Sequence, residues 1–173
     1  MKKFFTIFII ALSFAANSNA EIPPIVTTPG ACNSESVMIN GVCWAKTNLG
    51  ASSPTDYGNY YTWEEAKKAC PAGWRLPTKK EIESLINSGS VWTTRNGVSG
   101  RLFGKAPNQI FLPTAGFHNS SKKVVYAGDT GYYWSSPQSN NGYEYYLYFL
   151  SGGASTSYDR RIHYGFSVRP VAK

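Results

Sequence analysis

Ala69-Cys70-Pro71-Ala72-Gly73-Trp74-Arg75-Leu76-Pro77-Thr78 is the stretch whose reading decides the fold. Pro71 cannot continue a helix, and Gly73 permits a tight turn. Trp74 and Leu76 alternate toward the interior, and Pro77 forces Leu76 into an extended conformation before Thr78. The stretch therefore reads as a connector between two helices that also carries core residues. Each helix announces its own start. In Thr62-Trp63-Glu64-Glu65 the hydroxyl accepts from the amide at Glu65 while that carboxylate reaches back, and Thr78-Lys79-Lys80-Glu81 repeats the device. The first helix is expected to run to about Cys70. The second places Ile82, Leu85 and Ile86 on one face and ends near Gly89. Arg75 is expected to clamp backbone carbonyls or a carboxylate rather than a ligand.

Outward from the helices the pattern changes. Val37-Met38-Ile39, Asn40-Gly41, Val42-Cys43-Trp44 is a hairpin signal, since Asn-Gly readily takes the positive φ values of a two-residue turn. Residues 47–61 are rich in turn formers and read as a long surface connection. From Ser90 onward the helical period is lost. Short strand-like pieces follow at 100–103, 109–112, 115–118, 124–127, 132–135, 143–150 and 165–171. Helices early and strands late indicate an α+β domain, with two short helices packed on small antiparallel sheets and long loops. Tyr (12), Trp (5), Phe (9) and Gly (16) suit turns, strands and aromatic packing more than long helices.

The N-terminus has the layout of a secretory signal peptide over residues 1–20: Lys2 and Lys3, an apolar run from Phe4 to Ala16, then Ser18-Asn19-Ala20. The run falls short of the roughly 20 residues that span a bilayer. Cleavage after Ala20 makes the protein exported: periplasmic, secreted or cell-surface. Residues 21–34, with Pro23, Pro24 and Pro29, read as an extended leader, and 35–173 as one domain. Loss of Lys2 and Lys3 lowers the formal charge from +7 to +5, and the remaining cations are scattered, so nucleic acid is not an expected partner. Three cysteines, Cys32, Cys43 and Cys70, allow three pairings and leave one thiol over. A bridge involving Cys43 is favoured because its strand is expected to be buried. Zinc is disfavoured, as no Cys-x-x-Cys or paired His accompanies them.

Five segments occur in order: Tyr61-Thr62-Trp63-Glu64-Glu65-Ala66, residues 70–78, Phe111-Leu112-Pro113-Thr114-Ala115-Gly116, Gly131-Tyr132-Tyr133-Trp134-Ser135-Ser136 and Gly165-Phe166-Ser167-Val168-Arg169. Together they closely resemble the Fibrobacter succinogenes major paralogous domain family, over about 37–172. The chain also looks like the C-terminal domain of the Legionella collagen-like adhesin and the variable proteins of diversity-generating retroelements. The resemblance implies a C-type-lectin-like fold of the formylglycine-generating-enzyme variety, used for binding rather than catalysis. Members of the family often carry a cysteine just after the closing Val-Arg. Here Pro170 stands there, so a disulfide from the last strand to the Cys70 region is not carried over, and which of the three cysteines stays free is left open. Trp63, Trp74, Arg75, Leu76, Trp134 and Arg169 are assigned to the scaffold.

Residues 136–142 and 152–163 are loop-like and rich in Ser, Asn, Gly and Tyr, the composition of recognition loops. In the retroelement-diversified relatives the corresponding region carries the ligand face. Asn140, Asn141, Tyr143, Tyr145, Tyr158, Asp159, Arg160 and His163 are the candidate contacts, for a carbohydrate or a protein ligand at the cell surface. The plain alternative is solvated loops and cross-strand tyrosine pairs. The calcium-dependent sugar motif of true C-type lectins is absent, and Asp56 or Asp129 alone is weak support for calcium. Enzymatic readings fare worse. Sulfatase-cysteine oxidation, as the resemblance implies it, needs a late cysteine pair, and no cysteine follows Cys70. His118 and His163 are the only histidines and no Gly-x-Ser-x-Gly is present. The expected function is a binding module in adhesion, the alternatives being an accessory subunit of an exported surface assembly or an uncharacterised enzyme.

Overall fold

The computed structural model describes residues 32–136, 143–159 and 163–173. The expected signal segment and most of the expected leader, like the candidate contacts Asn140, Asn141 and Arg160, lie outside the described residues.

The described residues begin with β1 (Ser36–Ile39) and β2 (Val42–Ala45), an antiparallel hairpin whose Asn40 and Gly41 both take positive φ. The turn residues thus adopt the geometry that a two-residue hairpin requires. After the 46–61 connection, α1 (Trp63–Ala69) and α2 (Lys79–Asn87) start at complete capping boxes on Thr62 and Thr78. Between them the two-residue β3 (Trp74–Arg75) forms the edge of a sheet ordered β1, β2, the closing strand β12 (Val171–Ala172) and β3. First and last segments of the domain are therefore joined in one sheet.

A meander follows of β4 (Ser90–Arg95), β5 (Val98–Lys105) and β6 (Asn108–Pro113). A small pair, β7 (Phe117–His118) and β8 (Val124–Val125), precedes the third main sheet. There β10 (Glu144–Leu150) lies between β9 (Gly131–Trp134) and β11 (Gly153–Asp159).

The third sheet organises the interior, because both of its faces are covered. Leu147 and Phe149 of β10 and Tyr133 of β9 join Trp44, Ile82, Leu85, Phe103 and Leu112 in one apolar cluster. Tyr146 of β10 and Trp134 of β9 point the other way, into a second cluster with Trp63, Leu76, Phe117, Phe166 and Val168. Alternation along a strand sends neighbouring side chains to opposite faces. Here each face meets a core, so Tyr133, Trp134 and Ser135 are all buried. A Cβ on Gly131 would collide with the Phe149 ring, which accounts for glycine at the start of this strand.

Three sequence expectations change. Residues 90–95, unassigned in the sequence pattern, form β4, turned into β5 by Asn96-Gly97 with both residues at positive φ. Residues 153–159, expected as loop, form β11, paired with β10 through seven consecutive partners. Its Ser, Thr and Gly content hides it, and it is held by its neighbour rather than by its own apolar pattern. Trp74, expected as a core residue, is only half-buried, since its strand is two residues long and has β12 on one side alone. Leu76, beyond it, is buried.

The cysteines pair as Cys32–Cys43, leaving Cys70 free and half-buried. Burial pushes the Cys70 thiol up from its ordinary value, against a smaller opposing pull from Lys173.

Candidate functional site

Two polar-aromatic groups stand out. One is interior and belongs to the scaffold. Arg169 is 1% exposed, and its guanidinium donates from Nε to Asn48 Oδ1 at 2.9 Å. Nη1 donates to the carbonyls of Ala45 at 3.1 Å and Lys46 at 2.8 Å, and Nη2 to that of Phe111 at 2.9 Å. Asn48 in turn donates to Tyr57 O and to the Tyr133 hydroxyl, which donates to Pro113 O. One planar cation thus ties the end of β2, the 46–61 connection, β6 and the closing segment together. Desolvation lowers the Arg169 pKa to about 10 and raises that of Tyr133. Arg75, as expected, clamps a carboxylate: two parallel bonds of 2.8 and 2.6 Å to Glu81, the second capping-box acid. Burial raises the Glu81 pKa, but the Arg75 guanidinium and the Thr78 amide outweigh it and leave the net shift downward.

The other group lies at the surface. Tyr145 on β10 faces Tyr158 on β11 in register, their rings edge-to-face at 5.8 Å. Tyr143, just before β10, meets Tyr158 at 5.6 Å. Lys79, in the first turn of α2, sets its ammonium 4.4 Å from the Tyr145 ring centre. Tyr158 is 61% exposed, whereas Tyr133 and Tyr146 of the two cores are buried. Strand alternation puts Tyr145 and Tyr158 on the α2 side of the sheet, just past the end of the first core. Such rings present flat apolar faces with hydroxyl edges on rigid strands, which suits recognition of a partner having apolar faces and polar rims.

Three of the eight sequence candidates, Tyr143, Tyr145 and Tyr158, are therefore brought together. Asp159 ends β11 opposite Glu144 in register. His163 is exposed beside Tyr164, whose ring stacks on Phe117 in the second cluster. Lys79 and Glu144 escaped the sequence reading. Glu144, on the opposite face of β10 from Tyr143 and Tyr145, is buried and its Oε2 has no hydrogen-bond partner. Desolvation raises its pKa, with Lys67 opposing and Glu64 adding to the shift. An acid between two tyrosines at the start of an alternating strand was the available signal.

The carboxylate of Asp56 accepts from Ser52 N and Oγ and from Gly58 N, so it is engaged in holding its own loop. These amides lower its pKa. Asp129 is exposed. Among the described residues no three His, Cys, Asp or Glu side chains are grouped as metal donors.

The family model described as the Fibrobacter succinogenes major domain matches residues 32–172, and the chain belongs to that family. No curated protein and no solved structure gives a significant match.

Proposed function

We propose that this family member is an exported, non-catalytic binding module that takes a carbohydrate or protein ligand on the face built from Tyr143, Tyr145 and Tyr158. The observation that carries the reading is the exposed Tyr158, held on a paired strand and packed edge-on by two further tyrosines. Aromatic side chains with few rotatable bonds lose little entropy on binding, and a strand fixes their spacing. The α+β architecture, with two short helices against small antiparallel sheets, is compatible with a C-type-lectin-like fold, and we adopt that fold as part of the proposal. The Cys32–Cys43 disulfide suits an oxidising compartment, which supports export. No helix among the described residues is long and apolar enough to cross a membrane.

The test is a glycan-array screen of the purified protein with calcium and again with chelator. The expected result is a reproducible saccharide class whose signal falls at least tenfold in Tyr158→Ala. Should the folded protein give no saccharide hit, the ligand is a protein, sought by pull-down with Tyr158→Ala as the control. A partner bound equally by wild type and Tyr158→Ala contradicts the assigned face.

A further inference from the structure

β4 is the outer strand of the β4-β5-β6 meander, and among the described residues no strand pairs with its far side. Its pairing phase is set by the turn. A two-residue hairpin makes the residues flanking it, Arg95 and Val98, the pair that exchanges both hydrogen bonds. Thr93–Gly100 and Val91–Leu102 follow in the same phase. Two bonds elsewhere confirm it. Gly104 N donates to Gly89 O, the next pair along, and Ser99 O accepts from Thr114 N and so points away from β4. Ser90, Trp92 and Thr94 consequently direct their amides and carbonyls outward, and no described backbone group meets those amides and carbonyls.

An open strand of this kind is a template for another strand unless it is short, charged, bulged or interrupted by proline. Ser90-Val91-Trp92-Thr93-Thr94-Arg95 has none of these guards until Arg95 at its end. It carries Val91 at 58% exposure and Trp92 only half-covered by the first core.

We propose that β4 is a homodimerisation edge, paired antiparallel with β4 of a second copy of this chain across a two-fold axis. The outward phase leaves one centred register: Trp92 opposite Trp92, Ser90 opposite Thr94 and Val91 opposite Thr93. This register is self-complementary. The three outward residues of each copy supply about six inter-strand hydrogen bonds. Trp92 gains an aromatic partner directly across, and β-branched Val91 meets β-branched Thr93. The one charge on the strand, Arg95, falls opposite Gly89, so no like charges oppose each other. Two three-stranded meanders become one six-stranded sheet and both β4 edges disappear. A symmetric, isologous contact of this type closes at two copies.

Sedimentation equilibrium of the purified protein is expected to show a dimer at micromolar concentration. Thr94→Pro removes an outward amide and no bond to β5, and proline is tolerated at such edge positions. It is expected to weaken the dimer at least tenfold while keeping the wild-type near-ultraviolet circular dichroism. Thr94→Val keeps the amide and stays dimeric. A second measurement stands should Thr94→Pro fail to fold. In a Cys70→Ser chain, Val91→Cys and Thr93→Cys face each other across the axis in a non-hydrogen-bonded pair, close enough for a disulfide. Mild oxidation is expected to give a reducible covalent dimer. A wild-type protein that stays monomeric, a folded Thr94→Pro that dimerises as tightly as wild type, or a cysteine variant that remains uncrosslinked overturns the proposal.

Discussion

The Arg169 network and the Tyr158 face use similar side chains to opposite ends. In the first, an arginine, an asparagine and a tyrosine are buried, and the guanidinium meets four acceptors without a carboxylate. In the second, Tyr143 and Tyr145 pack edge-on against Tyr158, Lys79 sets its ammonium over the Tyr145 ring, and Tyr158 stands 61% exposed. Polar groups satisfied inside a low-dielectric interior specify a single arrangement, because leaving any of them unpaired is costly. Rings held at a surface leave their binding potential unspent. The same chain thus separates residues that make the fold from residues available to a partner, and mutation should reveal the division.

The largest effect is expected inside. Arg169→Met orphans the Ala45, Lys46 and Phe111 carbonyls and the Asn48 amide oxygen, and should destabilise the protein by about 3–5 kcal/mol in urea unfolding. Arg169→Lys should recover only part of this, since an ammonium cannot span acceptors arranged for a planar fork. A loss below about 1 kcal/mol for Arg169→Met would dissolve the distinction between the two regions. Trp134→Ala, which empties the second core beside Phe166, is expected to cost about 3–5 kcal/mol. Trp74→Ala on its edge strand should cost less, about 1–2 kcal/mol, because less area returns to water. Comparing the two tryptophans by unfolding midpoint separates the buried Trp134 from the half-buried Trp74.

Acid provides a further contrast. Hydrogen bonds at Asp56 and Glu65, and the Arg75 pair at Glu81, hold these carboxyls below their ordinary values. Groups with depressed folded values stabilise the fold above their unfolded pKa near 4 and lose that contribution as pH falls through the folded value. Glu144 has the opposite sign. Its raised pKa means that the fold favours its protonated form, so its charged form is a burden once pH exceeds the folded value. Glu144→Gln should therefore raise stability at pH 7 by up to about 1 kcal/mol, and the gain should vanish at pH 4. A thermal-melt series over that range checks both.

Much of the scaffold was legible because its signals are local. Two capping boxes, the Asn40-Gly41 turn, the helix stop at Pro71 and the Arg75 clamp each depend on residues within a few positions. What escaped is non-local. β11 has little apolar pattern and exists because β10 lies beside it, while Asn48 looks like a loop residue until Arg169, 121 positions later, closes on it. β4 carried a readable turn in Asn96-Gly97, but its own alternation is weak because one face is exposed. At the candidate site, Tyr145 and Tyr158 were singled out from composition, and their pairing followed only from strand register. Lys79 required the packing of α2 against the sheet to be seen, and Glu144 its neighbourhood to Lys67 and Glu64 of α1.

The central claim is that Tyr158 belongs to recognition and not to the fold, and paired stability and binding measurements on Tyr158→Ala test it most directly. The account predicts an unfolding free energy within about 0.5 kcal/mol of wild type, as for an ordinary surface substitution, together with at least a tenfold loss of ligand binding. A variant destabilised by more than about 2 kcal/mol that still binds as wild type does would contradict it.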